Sequence, residues 1–386
     1  MTDRKIAEAF PPGDFLKEEL EARNWSQVEL AEIIGRQPYV VNELIMGKRP
    51  ITPEIAKALG EAFGTSAQYW MNLESIYQLW RTRDSDNVIS RRAKLYQLVP
   101  IKEMAKRHWI EPSENIEVLE SRVKHFLAIK SLDETPRLKH AARKGAQEIS
   151  PSQMTWLFRA KQLAQGVHAK AFSDQSFKDG LSRLKRLLYN VQEISHVPKI
   201  LGESGIRFLV IEQLPQTRID GVTFWLDNKS PVIVLSLRFD RIDWFWYTLA
   251  HELGHVKNRD GLKDAILDTD LVGDDAQKTE DKSQAEKNAD QFATEFLVEQ
   301  TSLNDFIMRI RPLYGKQKIL GFANRIGVHP GIIVGQLQFR KEILWSSYRQ
   351  MLEKVRHIII KSSLTDGWGH MPPILSNKEA EHGYIQ

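Results

Sequence analysis

The string IDWFWYTLAHELGHVKN, residues 242–258, constrains this chain more than any other feature. It is apolar around most of a helical circumference, so it reads as a helix buried on several sides. Yet it carries His251, Glu252 and His255 in its second half. Two histidines four residues apart lie one helical turn apart on one face, where both imidazoles reach a single cation. Glu252 projects beside them, placed to take a proton from an attacking water rather than to bind the cation. The chain has no cysteine. A metal there has to be held by imidazole and carboxylate, and disulfides or a thiol nucleophile are excluded.

A third ligand is expected downstream. Residues 286–297 (EKNADQFATEFL) read as a helix with Ala289, Phe292, Ala293, Phe296 and Leu297 on its apolar face. Glu286 precedes Asp290 by one turn, which lets Glu286 ligate Zn2+ while Asp290 accepts a hydrogen bond from a ligand imidazole. Glu280, Asp281 and Glu295 compete with Glu286, and helix phase favours Glu286. A bland reading of Asp290 is a surface carboxylate. His329 is a candidate to stabilise an oxyanion. The alternative for it is a helix-start residue beside Pro330.

Around this centre the pattern is strand-like before residue 242 and helical after it. Residues 206–211 (IRFLVI), 221–226 (GVTFWL) and 231–237 (PVIVLSL) are short branched runs, with a turn at 227–230. Upstream, residues 14–80 break into short helices with readable ends. Ser26 and Glu29 form a capping-box pattern before a helix that stops at Gly35. Pro38 sits in the first turn of the next, which ends at Gly47. Thr52-Pro53 opens another that ends at Gly64, and a last one spans 66–80.

The segment from residue 219 to about 337 resembles the ImmA/IrrE-type metallopeptidases. HELGH at 251–255, E-x-x-A-D-x-F-A at 286–293 and FANRIGVHPGIIVGQLQ at 322–338 carry the likeness. The resemblance implies His251, His255 and Glu286 as zinc ligands, Glu252 as base, and a protein substrate. Many relatives have Arg where this chain has Gln336, which puts any structural role of that Arg in question here. Residues 25–74 are similar to the Cro/C1-type helix-turn-helix of HigA-type antitoxins, most specifically in GKRPITPEIAKALGEAFGTSAQYWMNL. That implies binding to double-stranded operator DNA, usually as a homodimer on a palindrome, and allows a toxin as partner. Gln37, Tyr39 and Asn42 would face the major groove, with Arg36, Lys48 and Arg49 beside the phosphates.

Charge qualifies the DNA reading. Residues 1–80 hold 8 Lys and Arg against 12 Asp and Glu, a net of −4, which is poor for phosphate binding. A helix-turn-helix used only for dimer or partner contacts is the competing reading. Residues 81–199 hold 23 against 13, a net of +10, and are a candidate source of further phosphate contacts or an ordinary solvated face.

The expected fold is α+β and mostly α. A helix-turn-helix bundle occupies 10–80, a basic helical connector 81–200, a zincin-like domain with a small sheet 201–360, and a loose tail 361–386. No run of apolar residues is long enough for a membrane span, and the N-terminus lacks an apolar leader, so the cytoplasm is the expected compartment. Two functions compete. One is a DNA-bound regulator with a zinc endopeptidase that cuts a regulatory protein. The other is an antitoxin-like repressor whose peptidase-like domain senses or scaffolds without turnover. The intact Glu252 favours the enzyme.

Overall fold

A computed structural model of the chain describes residues 9–82, 88–134, 149–271 and 282–371. The chain divides into two compact units, residues 1–90 and 91–386.

In the first unit, five helices follow the end signals in the sequence: α1 Pro12–Arg23, α2 Gln27–Ile33, α3 Pro38–Ile45, α4 Pro53–Phe63 and α5 Ala67–Arg81. The Ser26 hydroxyl accepts from the Glu29 amide at 3.2 Å, and Glu29 accepts from the Ser26 amide at 2.7 Å, so the capping box forms in full. Gly35, Gly47 and Gly64 take positive φ where the helices stop. Leu16, Leu30, Ala31, Val41, Leu59 and Trp70 fill a core closed to solvent. The Glu74 carboxylate, buried, accepts from the Ile51 amide at 3.1 Å and so ties α5 to the loop before α4.

The second unit is built on a five-stranded mixed sheet, order β4-β2-β3-β1-β5. Its strands are β1 Arg207–Ile211, β2 Ile219–Trp225, β3 Pro231–Leu235, β4 Ile266–Thr269 and β5 Leu364–Asp366. β1 runs parallel to β3 and β5; β2 runs antiparallel to β3 and β4. The three runs read from the sequence are β1 to β3. β4 and β5 are too short and too polar to stand out.

Ahead of the sheet come α6 Val88–Leu98, α7 Ile101–Lys106, α8 Ile116–Leu127, α9 Pro151–Gln165, α10 Asp174–Leu187 and α11 Val197–Glu203. After it come α12 Ile242–Asn258, α13 Gln284–Leu297, α14 Gln300–Ile310, α15 Lys316–Ile326, α16 Pro330–Phe339 and α17 Arg356–Ile359. The central element is α12. Its residues from Ile242 to Val256 are buried except Tyr247, and it packs on β2, β3, α13 and α16. The reading of this segment as a buried helix therefore holds.

Two expectations need correction. Residues 81–200 do not stand apart as a connector. α9 and α11 pack on β1, the Trp156 indole donates to the Glu212 carbonyl at 3.1 Å, and Arg107 donates to the carbonyls of Glu212 and Gln213, both at 2.7 Å. Several basic side chains of this stretch are already paired, two of them with acids beyond residue 199. Arg91 pairs with Glu120, Lys94 with Asp133, Arg122 with Glu111, Arg183 with Glu203 and Arg159 with Asp366. The tail is not loose from residue 361 either. Leu364–Asp366 forms the β5 edge of the sheet, and buried Asp366 receives the Trp109 indole at 3.0 Å and Arg159 at 2.5 Å. Residues 372–386 lie outside the described residues.

Candidate metal centre and nucleic-acid interface

His251, Glu252 and His255 are fully buried in the second half of α12. The Nε2 atoms of the two histidines lie 3.0 Å apart and face the same point. Gly254 between them sets the distance to the next helix. A Cβ built there would stand 2.9 Å from the Ala289 Cα on α13, so only glycine admits this crossing. The close approach delivers Glu286, less than a turn before Ala289: its carboxylate reaches His251 Nε2 at 3.3 Å and His255 Nε2 at 3.7 Å. Of the competing third ligands, Glu295 is at the other end of α13. Glu280 and Asp281 lie outside the described residues.

A fourth donor arrives that the sequence reading missed. Asp268 on β4, 4% exposed, places Oδ2 3.6 Å from His251 Nε2 and 3.7 Å from His255 Nε2. The four donor atoms all lie within 4.8 Å of one another. Four ligands at about 2.0–2.1 Å from a tetrahedral zinc stand about 3.3–3.5 Å from each other. The donor set, two imidazoles and two carboxylates, and its spacing thus fit zinc. The charges point the same way. Burial would lower the His251 pKa, but the carboxylates of Asp268, Asp290 and Glu286 push it up to about 10. Burial, Glu286 and Glu252 drive Asp268 well above the ordinary carboxylate range. So many acids around two imidazoles call for a cation.

Each imidazole also has a carboxylate behind it. His251 Nδ1 lies 3.1 Å from Asp290 Oδ1, and Asp290 receives the Tyr247 hydroxyl at 2.9 Å and Lys282 at 2.6 Å. Burial opposes ionisation of Asp290, yet His251 and Lys282 hold its pKa below the usual range. His255 Nδ1 lies 3.1 Å from Asp260 Oδ2. Asp260 gets there because α12 ends at Asn258 and Arg259 turns left-handed, at φ 58°, swinging the next residue back. Asp260 is the second residue the sequence reading missed.

The Glu252 carboxyl group lies between β2 and Asp268. The Thr223 hydroxyl on β2 donates to its Oε2 at 2.6 Å, while its Oε1 lies where a side chain on Gly221 would sit, 2.1 Å from that virtual Cβ. Burial raises its pKa; the Thr223 hydroxyl opposes the rise. A carboxylate held this way is basic enough to accept a proton near neutral pH.

His329 is not part of this centre. Its Nδ1 accepts from the Gly331 amide at 3.1 Å, capping α16, and its Nε2 lies 3.0 Å from Glu353. The neighbouring Gly331 packs against Ile242 at the start of α12. That is about 13 Å along the helix from His251 at 1.5 Å per residue. An oxyanion role does not fit this placement: Nδ1 caps the helix start and Nε2 faces Glu353.

Beside the centre lies a cavity of about 220 Å³ between α12, α13, α14 and α16. Tyr247, Trp244, Leu297, Ile332 and Phe339 supply its apolar wall, and Gln336 faces it. Gln336 lies at hydrogen-bond distance from the Thr294 carbonyl and Gln300, so it bridges α13, α14 and α16.

In the first unit, Gln37 is the N-cap residue of α3, and Val40, Val41, Leu44 and Ile45 form its buried side. Arg36, Gln37, Tyr39, Asn42, Lys48 and Arg49 are all exposed. One contact complicates the expected phosphate role of Arg49, whose guanidinium donates to Glu43 at 2.8 Å.

Comparison with known proteins agrees with both halves. The helix-turn-helix family model matches residues 16–70, and the IrrE N-terminal-like domain of the M78 peptidases matches residues 203–336. The "Uncharacterized HTH-type transcriptional regulator YddM" of Escherichia coli K12 is 36% identical over 75 residues, 19% of this chain and 80% of that protein. "Virulence-associated protein I" of Dichelobacter nodosus is 36% identical over 72 residues, 18% of this chain and 67% of that protein. Among solved structures, the Pseudomonas aeruginosa antitoxin HigA with the higBA promoter is 36% identical. It covers 19% of this chain and 82% of its own, with a TM-score of 0.19. Pseudomonas aeruginosa PA4674 with its 18-bp operator DNA is 30% identical, covering 28% and 98%, with a TM-score of 0.20. The chain belongs to the Cro/C1-type helix-turn-helix transcriptional regulators, with an IrrE-like domain of the M78 peptidase family fused behind the DNA-binding-type domain.

Proposed function

We propose that this regulator is a zinc endopeptidase that cuts a regulatory protein partner while its first unit holds double-stranded operator DNA as a homodimer. The convergence of His251, His255 and Glu286 around one point, with Glu252 buried beside it, carries the reading. His251, His255 and Glu286 would hold the zinc. Zinc, when bound, supplies the Lewis acidity that polarises a scissile carbonyl and acidifies the attacking water. Glu252 takes the proton of that water on the oxygen that Thr223 leaves free, and returns it to the leaving amine. Asp290 and Asp260 fix the ring orientations of the two histidines. On the DNA side, Gln37 and Asn42 stand on the solvent side of α3 that a major groove would meet, and either amide suits adenine. Arg36, Lys48 and Arg49 are the phosphate contacts.

One observation favours the second reading, an antitoxin-like repressor that binds a toxin and does not turn over. Asp268 adds a fourth donor to the cluster, as in closed structural zinc sites. Newly formed protein N-termini, compared between cells expressing the wild type and Glu252→Gln, separate the two. N-termini that arise with the wild type only support the enzyme. Identical sets, with promoter binding in a fluorescence-anisotropy titration also unchanged, support the repressor. Gln37→Ala or Asn42→Ala is expected to relax operator preference by about 1–3 kcal/mol, and equal affinity for operator and unrelated DNA in the wild type refutes the DNA assignment.

A further inference from the structure

The donor that no reading of the motif supplies, Asp268, has the least ordinary surroundings in the site. Its Oδ2 is buried without a well-aligned hydrogen-bond donor, and the carboxyl groups of Glu252 and Glu286 crowd the same side chain. A carboxylate oxygen left so in a protein interior costs free energy unless a charge compensates it. Its neighbours are the two imidazole Nε2 atoms, at 3.6 and 3.7 Å, the same atoms that Glu286 approaches at 3.3 and 3.7 Å. Asp268 and Glu286 therefore stand in matching relation to the histidine pair, one from the sheet and one from the helix.

From this geometry we propose that Asp268 is a fourth protein ligand and closes the metal site. A zinc peptidase keeps one coordination position open for water and substrate; here the Asp268 carboxylate fills it. The inference rests on the zinc reading above and deepens it. The resting chain holds zinc between two histidines, one aspartate and one glutamate, a shell that does not hydrolyse peptides, and the site opens only when Asp268 leaves. The strand that carries it is short, lies at an edge and is held at its end by a polar clasp. β4 is four residues long, lies at the sheet edge and pairs, among the described residues, only with β2. Its register to β2 is already irregular between Ile219 and Gly221. Two residues beyond Asp268, Asp270 at φ 52° is clasped by Arg238 at 2.8 Å and Arg218 at 3.4 Å, which latches the end of the strand. Glu252 stays on Thr223 of β2, a different strand, so the base remains in place when β4 moves.

The test uses the full-length chain loaded with Co2+ and titrated with azide, read by its visible absorption, together with zinc affinity from chelator competition. The variants are Asp268→Ala and the near-isosteric Asp268→Asn, which keeps the side-chain volume should alanine fail to fold. In the wild type, azide is expected to leave the four-coordinate spectrum unchanged. In both variants it should shift the spectrum, and zinc should bind about tenfold or more weakly. Azide perturbing wild type and variants alike, or unchanged zinc affinity in both variants, overturns the closed shell and leaves the zinc reading standing. A wild-type chain that takes up neither metal overturns both.

Discussion

Gly254 gives the sharpest handle on the metal centre, because it is neither a ligand nor a base. Gly254→Ala adds one methyl where two helices cross. That carbon would stand 2.9 Å from the Ala289 Cα and 3.3 Å from its Cβ. Relaxed carbon–carbon contacts are about 3.5–4 Å, so α12 and α13 must part by roughly 0.5–1 Å. Two effects on stability oppose each other. Alanine in a helix interior gains about 0.8–1 kcal/mol over glycine, while forcing a methyl into a packed crossing costs about 1–3 kcal/mol. The steric cost wins, because the clash is with backbone and no side chain can rotate away. For a unit of this size a net loss of about 1–2 kcal/mol lowers Tm by a few degrees. The metal responds more strongly. Glu286 is less than a turn from Ala289, so parting the helices lengthens its 3.3 and 3.7 Å approaches to His251 and His255 by nearly the full displacement. Zinc affinity, measured by chelator competition at fixed pH, is expected to fall about tenfold or more. Ala289→Gly in the same chain should rescue little, since the nearer clash is with Cα. A Gly254→Ala chain that binds zinc as tightly as the wild type, at an equal or higher Tm, refutes the claim that this crossing sets the ligand spacing.

Other expectations follow from the same contacts. Asp220 is pushed up to about 6 by burial, against the pull of Arg238. Its folded value exceeds its unfolded one, so its contribution to stability is whole below about pH 4 and fades as pH rises through 6. The urea-unfolding stability of wild type minus that of Asp220→Asn should therefore decline from about pH 4 to about 6.5 and then level off; a flat or rising difference sinks the assignment. His329→Ala should cost about 0.5–2 kcal/mol, the usual worth of a helix cap, and leave zinc affinity untouched. A large loss of zinc or activity at unchanged Tm would restore His329 to the site.

How far the sequence could be read depended on how far each feature was local. His251, Glu252 and His255 share one helix, and periodicity alone puts them on adjoining faces. Glu286 and Asp290 repeat the same one-turn spacing on a second helix, so their placement beside the histidines was also legible. Asp268 and Asp260 were not, for physical reasons. A strand of four residues, ILDT, carries too little alternation to register as a strand, and its inward Asp resembles any loop acid. The sole signal was a short apolar run, AIL, directly before it. Asp260 reaches His255 only through a left-handed turn at Arg259, a residue type that gives no notice of positive φ. Helix ends in the first unit were legible to within a residue or two, because Ser26, Thr52, Ser66 and the glycines act on their immediate neighbours. The basic excess of residues 81–199 left two readings open for the opposite reason. Charge counts do not show which arginines are already bonded to carbonyls and carboxylates far along the chain.

The bonds around β5 bear on what counts as a domain here. The stretch that defines family membership, residues 203–336, ends before β5 and begins after α9. Yet Trp109 and Arg159 meet on Asp366, Gln153 donates to the Thr217 carbonyl at 2.8 Å, and Arg107 satisfies two carbonyls beyond the end of β1. A fragment cut at the family limits would keep every metal donor and expose β1 along one whole edge, a bare strand that invites pairing with other chains. The piece by which such proteins are recognised is smaller than the piece that can stand alone in water. The peptidase-like half is best regarded as a single cooperative body that starts near residue 91 and closes on itself after residue 366.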